Sequence, residues 1–498
     1  MNKKNQNQNQ KNLKNSKKPI YIILISILIA LAIFIFFLPA VFSTKAGTIF
    51  LINKIEKKSN AKVKIESFHL TWFGPQKIKK LSYKDPNIDL DVDSITSNMS
   101  LLSFYKSIKT YKNLKLFANT QVDNLNVVIH YPNKPYANFN NVNASIKADL
   151  KGINSIEISG KTTENKISGN FRASIHFEGD KIQSTINAKN IPTIGIDQLL
   201  FSKSPKYQNL LSQILGSSLD LQIESTLDNL KGPINIDIKS TNANANLNLF
   251  YEKNKITLTK SATIVLNLSP INPQFTNNIT YLASQKNSPV ITRISNDGFS
   301  YPISPFKTQN LKVGHMSVDL NKMIISNTGA IRTMTSLAKL RSSNSVSMWF
   351  TNVNIQIDNG MLYSDRMDFL IDKAVHLCTW GKIDLNNKAL KMNLGITADT
   401  LYSVFGIENL PDDYVIKIPI KGTFENPKID ASKATAKIIA LSALQQSSGI
   451  GSIIGGLVTK FQKDQNIPPA KRPFPWEGKV RRKRTAPTSP DNIFDFFK

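Results

Sequence analysis

The residues Ser159-Gly160-Lys161-Thr162 end like a phosphate-binding P-loop, whose glycine amides and lysine would cradle phosphate oxygens. That motif needs a second glycine five positions before Gly160, and Ser155 stands there. Period-two alternation follows instead of a helix, so a turn between strands is expected. The glycine-rich stretch Gly449 to Gly456 follows a predicted helix, not a strand, and lacks an acid at the distance a dinucleotide ribose requires. Asp85, Asp89, Asp91 and Asp93 carry carboxylates suited to calcium, but the last three alternate along a strand on one polar face. No loop glycine or distal glutamate of an EF-hand accompanies them. His69, His130, His176, His315 and His376 form no metal-binding pair, and each is expected on the solvent side of a strand. Cys378 is the only cysteine, which excludes an internal disulfide and a cysteine-pair metal site. No nucleophile elbow or glycosidase-like carboxylate pair stands out. Neither an enzyme nor a cofactor is expected, and no metal site.

The elements that hold these residues begin with an anchor. Six lysines and no acid occupy the first eighteen residues, and an apolar run follows from Ile20 to Phe42. At about 1.5 Å per helical residue, that run crosses a hydrocarbon core about 30 Å thick. It exceeds the apolar region of a signal peptide, and no clean A-x-A site lies between Pro39 and Thr44. An uncleaved single-pass helix with its amino end in the cytoplasm is expected, everything after Thr44 lying outside. The formal charge of +28 invites a nucleic-acid partner, yet only nine of the 63 basic residues are arginine. The lysines fall mainly on polar strand faces, where they solvate a sheet and discourage edge pairing; no nucleic acid is expected. Behind an export anchor, Arg481, Arg482, Lys483 and Arg484 would meet anionic headgroups at most.

Beyond the anchor, Ile49, Phe50, Ile52 and Ile55 fall near helical spacing, predicting a short helix at the membrane exit. Strands follow: Val63 and Ile65 share a face, the phase slips near Ser67, and Phe68, Leu70 and Trp72 resume it, as a β-bulge would produce. The clearest strand puts Ile167, Gly169, Phe171, Ala173, Ile175 and Phe177 on one face and polar residues on the other. A helical pattern covers about Ile196 to Leu215. Alternation returns through Leu219, Leu221 and Ile223, then Ile234, Ile236 and Ile238, then Ala245, Leu247 and Leu249, then Ile264, Leu266 and Leu268. Prolines and polar residues from Pro270 to Thr308 suggest a loose boundary, and a second helix is predicted over about Asn327 to Arg341. A hairpin follows, with Val375, Leu377, Ile383 and Leu385 before Asn386-Asn387 and with Leu390, Met392, Leu394 and Ile396 after. Ile418 lies on a later apolar strand, Ser432 to Gln446 reads as a helix, and the chain from Pro468 should be disordered.

Residues 51–87, LINKIEKKSNAKVKIESFHLTWFGPQKIKKLSYKDPN, resemble the opening of the AsmA-like proteins of Gram-negative envelopes. Residues 381–400, GKIDLNNKALKMNLGITADT, and 416–434, IKIPIKGTFENPKIDASKA, resemble that family's C-terminal region. The resemblance implies an inner-membrane protein projecting into the periplasm, with a β-groove that carries phospholipid toward the outer membrane and with no catalytic residues. The fold class expected is mainly β: one transmembrane helix, then an extended, twisted, curled antiparallel sheet, groove-like, with a few helices. Seven regions are expected: 1–18 cytoplasmic and basic, 19–43 the anchor, 44–270 a β-groove region, 271–310 a linker, 311–430 an AsmA-like C-terminal β-region, 431–465 helical, and 466–498 a disordered tail. Roughly twenty to twenty-five strands at about 4.7 to 4.9 Å each would extend on the order of 100 to 120 Å.

A sheet with one apolar face must bury it, and acyl chains are one way to do so. The groove positions expected are Ile167, Phe171, Ala173, Ile175 and Phe177, then Leu221, Ile223, Ile236, Leu247 and Leu266, then Leu377, Ile383, Leu394 and Ile418. The partners expected are a phospholipid or other membrane lipid, the inner membrane and other envelope proteins. The alternative is a membrane-tethered β-scaffold or outer-membrane assembly factor whose faces close on each other and carry no lipid.

Overall fold

A computed structural model describes residues 37–59, 61–101, 119–131, 134–148, 153–164, 166–201, 209–269, 282–304, 307–328, 331–332, 335, 343–423, 426–446 and 466–478. The protein is mainly β, its strands pairing antiparallel, and it divides into two compact units. Unit one comprises Met1–Glu164 with Asn170–Phe177; unit two comprises Asn165–Gly169 with Glu178–Lys498. Among the described residues no helix is long and apolar enough to cross a membrane. The anchor expected at 19–43 lies outside them up to residue 36, and residues 37–43 are helical.

In unit one, residues 37–43 lead into α1 (Lys45–Ser59) and then β1 (Lys62–His69), β2 (Gln76–Lys84), β3 (Ile88–Ser97), β4 (Thr120–Tyr131), β5 (Lys134–Ala148) and β6 (Ile153–Glu164). Each of these strands pairs with the next. β7 (Ile167–Glu178) contributes its residues 170–177. The phase slip expected near Ser67 is present, but as something other than a β1 bulge. Ile65↔Leu81 and Ser67↔Lys79 keep one register with no residue left over. The slip is matched in the neighbouring strands, so two apolar rows cross the sheet on either side of it. One row is Ile65, Leu81, Val92, Leu125 and Val142; the other is Phe68, Ile78, Ile95, Val122 and Ala144. Between the rows, Lys80, Asn124 and Asn141 take left-handed backbone at φ 47, 51 and 51. Asparagine tolerates that conformation better than most residues, and side-chain bonds hold it. Asn143 Oδ1 accepts from Asn124 N at 3.0 Å, and Asn126 Oδ1 accepts from Asn141 N at 2.9 Å.

The P-loop-like residues Ser159 to Thr162 lie inside β6, not in the turn expected for them. Gly160 is there for space: a Cβ would sit 2.8 Å from Val142 Cγ2 and 3.0 Å from Phe171 Cζ.

Unit two runs through β8 (Lys181–Pro192), α2 (Thr193–Phe201), α3 (Leu210–Leu215), β9 (Ser218–Asp228), β10 (Gly232–Ser240), β11 (Ala243–Glu252), β12 (Lys255–Leu258) and β13 (Ala262–Leu266). The helical pattern of 196–215 is thus two helices, joined because Asp197 caps α3. Its Oδ1 accepts from Leu211 N at 2.8 Å and its Oδ2 from Ser212 N at 2.7 Å. The stretch expected as a linker supplies β14 (Leu282–Ser284), β15 (Val290–Ile294) and β16 (Tyr301–Pro302). β15 pairs with β13 on one side and, on the other, with β17 (Val313–Asp319). Strands this short give too few alternations to stand out among prolines and asparagines.

The path continues through β18 (Lys322–Ser326), β19 (Ser345–Phe350), β20 (Val353–Asp358), β21 (Met361–Ile371), β22 (Val375–Asp384), β23 (Ala389–Thr397), α4 (Ala398–Phe405), β24 (Val415–Gly422), β25 (Pro427–Ile429) and α5 (Ser432–Gln446). The predicted hairpin is β22 and β23, its turn held by Asp384 Oδ1, which accepts from Asn386 N at 2.9 Å. Most of the helix predicted over 327–341, the stretch Gly449 to Gly456 and the cluster at 481–484 lie outside the described residues. The tail expected to be disordered from Pro468 is instead packed through Gly478. Phe474 and Trp476 are buried against Leu370 on β21.

Candidate functional site

Residues directly opposite each other in an antiparallel pair share a face. In unit two that rule gathers the expected groove positions into rows: Ile186, Ile223, Ile236 and Leu247 form one, and Ala188, Leu221, Ile238, Ala245 and Ile264 form the next. The branched members of these rows are half-buried. In unit one, Phe171, Ala173, Ile175 and Phe177 are half-buried as well. Phe171 meets Phe139 edge to face, ring centroids 6.2 Å apart. Ile167, within unit two, is also half-buried.

The C-terminal positions behave differently. Thr379, Leu394 and Ile418 form one row, and Leu377, Ile396 and Ile416 the next. Leu377 and Ile418 are 1% and 0% exposed, so neither can line an open groove. α4 packs on β22 and β23, and α5 packs on β24, closing this face with Leu401, Val404, Ile438 and Leu441. Leu394 and Leu266 pack against the margin of the same core, and Ile383 is half-buried beside Leu362 and Leu390. The sequence pattern marked an apolar face in both places and predicted α5, but it did not predict α4 or show that the two helices cover one of those faces.

The opposite face of β22 carries a second arrangement, which contradicts the expectation of a solvent-side His376. His376 is 3% exposed and lies between two carboxylates, Nδ1 2.9 Å from Asp399 Oδ2 and Nε2 3.0 Å from Asp368 Oδ1. Both partners are acceptors, so both ring nitrogens donate and the ring is an imidazolium. Arg366 grips the same Asp368 with two bonds: Nε donates to Oδ2 at 2.9 Å and Nη2 to Oδ1 at 2.7 Å. Burial disfavours the charged ring, but bonds to Asp368 and Asp399 outweigh it and hold the His376 pKa above its ordinary value. Burial likewise pushes Asp368 up, and hydrogen bonds from His376 and Arg366 reverse this, leaving its carboxyl below the usual range. Two cations then face two anions, which is how buried charge is tolerated.

Residues 466–478 close over this cluster. Arg366 Nη1 donates to Pro468 O at 3.0 Å, and Lys471 Nζ lies 2.7 Å from Asp365 Oδ2. Phe474 and Trp476 stack with centroids 5.0 Å apart, and the His376 ring stands edge-on to both. Ile467 packs against Cys378, Trp380 and Val415. Burial pushes the Cys378 thiol up to about 12, so it is a core residue and no nucleophile. One sequence signal pointed here: β22 reads Val375-His376-Leu377-Cys378, with residues of buried type on both faces, and a strand dry on both sides needs a cover on each.

No protein-family model, curated protein or solved structure matches this chain.

Proposed function

We propose that this protein is an envelope protein held in the cytoplasmic membrane by the helix expected at 19–43, whose half-buried apolar strand faces take up the acyl chains of membrane lipid. The observation that carries the proposal is the pair of rows across β8 to β11. The register aligns their branched side chains on one face and leaves them half-buried. Among the described residues, α4 and α5 pack on the C-terminal strands of unit two, whereas beside these rows the short helix α3 touches β9. Transfer of each methylene from water contributes about 0.8 kcal/mol, so binding needs no catalytic group and no particular headgroup. The resemblance of residues 51–87, 381–400 and 416–434 to AsmA-like proteins supports the same role, with phospholipid as cargo between inner and outer membrane. The closed core under α4 and α5 favours a second role for that end: a tethered scaffold or assembly factor that holds partners and no lipid.

Photo-crosslinking from Ile223, Ile236 and Leu247, with Leu377 and Ile418 as interior controls, tests the proposal in the full-length protein. Lipid adducts at the first three positions and none at the controls are expected. Adducts to neither set would leave the tethered scaffold as the function.

A further inference from the structure

In unit one, apolar side chains stand in water beside the end of the expected anchor. Val41, Ile49, Phe50 and Ile55 are 53%, 48%, 56% and 43% exposed, and Phe73 is 75% exposed. They belong to one built corner. Thr44 Oγ1 accepts from Gly47 N at 3.1 Å, and Gly47 has no room for a side chain: a Cβ there would lie 2.2 Å from Val41 O. α1 is thereby packed against the end of helix 37–43, with the Phe42 and Phe50 rings 6.4 Å apart. Ser43 Oγ accepts from Leu70 N at 2.8 Å, which ties the 71–74 turn to the same corner.

That turn is not loose. Gln76 fastens it, Oε1 accepting from Thr71 N at 2.9 Å while Nε2 donates to Thr71 O and Gly74 O, each at 2.8 Å, and to Met99 O at 3.1 Å, and Thr71 Oγ1 accepts from Gly74 N at 2.8 Å across the turn. Phe73 on this turn adds to the exposed Val41, Ile49, Phe50 and Ile55 of the same corner, and it is such a cluster, not a single exposed ring, that marks an interaction site. The charge around it names the partner's sign: α1 carries Lys45, Lys54, Lys57 and Lys58. Its only acid, Glu56, is occupied, Oε1 accepting from Val63 N at 2.8 Å.

We infer that α1 and the 71–74 turn form a platform seated in the headgroup layer of an anionic bilayer, with Phe50 and Phe73 inserted and the α1 lysines on lipid phosphates. The platform rests on the anchoring half of the proposed function and is independent of the lipid-carrying half. A protein whose β faces carried nothing would still sit on the membrane this way.

The test uses the full-length protein in vesicles of phosphatidylcholine with phosphatidylglycerol. Cys378 is buried and resists labelling in the parent, so single spin labels can be placed through Phe50→Cys, Phe73→Cys and, as an aqueous reference, Glu178→Cys. Collision with oxygen should exceed collision with a nickel chelate at 50 and 73, with the reverse at 178. Replacing phosphatidylglycerol by phosphatidylcholine should shift positions 50 and 73 toward the aqueous value. Nickel accessibility at 50 and 73 equal to that at 178 would overturn the platform, as would shielding from both reagents, which marks a protein contact. Failure of the parent to float with vesicles would remove the anchor and the platform together, whereas the crosslinking from β9 to β11 fails or succeeds separately.

Discussion

Unit two contains the same device twice with different outcomes. Across β8 to β11, a row of branched side chains from four strands lies half-buried; across β22 to β24, an equivalent row from three strands disappears under α4 and α5. Cross-strand pairing is equally regular in both, and both are antiparallel. The difference lies in how far the helices that follow cover the face. Thr397 leads directly from β23 into α4, whose Ala398, Leu401, Val404 and Phe405 face the sheet. β8 leads in the same way into α2 and α3, and α3 touches β9, yet the branched side chains of the rows stay half-buried there, and β9 to β11 are joined by tight turns. An alternating pattern therefore specifies that a face avoids water and leaves open what excludes the water.

The largest separation between the two regions should come from one charge placed in each. Ile416→Asp puts a carboxylate where exposure is 0%, without a partner, and should unfold the C-terminal strands at a cost of at least about 3 to 5 kcal/mol. Ile236→Asp, on a half-buried row, should cost about 1 to 2 kcal/mol and leave the denaturation transition cooperative. Urea titrations of both variants decide it. Equal losses would mean that the β9 to β11 face is packed as tightly as the core, and the comparison would fail.

The next effect concerns the other side of the closed region. Asp368→Asn removes the anion shared by Arg366 and His376, leaving two buried cations with Asp399 alone in contact. Breaking a buried pair in this way typically costs about 3 to 5 kcal/mol. Loss of protection from proteolysis at residues 466–478 should accompany the drop in stability, because Pro468 hangs on Arg366 and the aromatic pair on His376. A stable variant with a mobile segment would show that the ions position the cover without supporting the sheet.

A smaller effect should appear in unit one, where Glu164 ends β6 with its Oε1 buried and unpartnered. Burial raises its pKa to about 7 from an ordinary value of 4.5. A carboxyl whose folded pKa is raised contributes stability below its unfolded pKa and loses it as pH rises through the folded value. Glu164→Gln should therefore match the parent near pH 4.5 and exceed it by a few kcal/mol at most at pH 8. Thermal melts of the pair across that range check this, and parallel curves would place Glu164 in contact with water.

Much of this architecture was legible in advance. Strict alternation marks β7 and β9 to β11, and the Asn386-Asn387 turn marks the β22–β23 hairpin, because period two and turn chemistry are local properties. The helix Ser432–Gln446 matches its predicted span as well. What could not be read was tertiary. Nothing in the local pattern of Leu377 or Ile418 distinguishes a side chain under a helix from one on a half-buried row. His376 looked like a solvent-side residue because its partners Asp368, Arg366 and Asp399 come from other positions in the chain. The 466–478 segment, rich in proline and lysine, has the composition of a disordered tail. Its order depends on two aromatic side chains finding a site that only the folded sheet provides.

The gentlest perturbation of the comparison changes only the proton on His376. Its folded pKa is raised, so its contribution is complete below the unfolded value of 6.5 and declines as pH climbs through the folded value. The folded pKa of Asp368 is lowered, so its contribution is complete above 3.8 and is lost as pH falls toward the folded value. Between those limits both are in force, and the cover formed by 466–478 should be tightest. With Glu164→Gln as the common background, denaturant midpoints from pH 5 to 10 should fall more steeply above neutral pH in the protein that keeps His376 than in His376→Gln, which keeps a neutral amide donor but cannot titrate. The half-buried rows of β9 to β11 contain no titratable group, so lipid crosslinking from Ile223 should not change over the same interval. A parallel decline there would show that the two regions are coupled and that the ionic cluster governs the apolar face as well as its own cover.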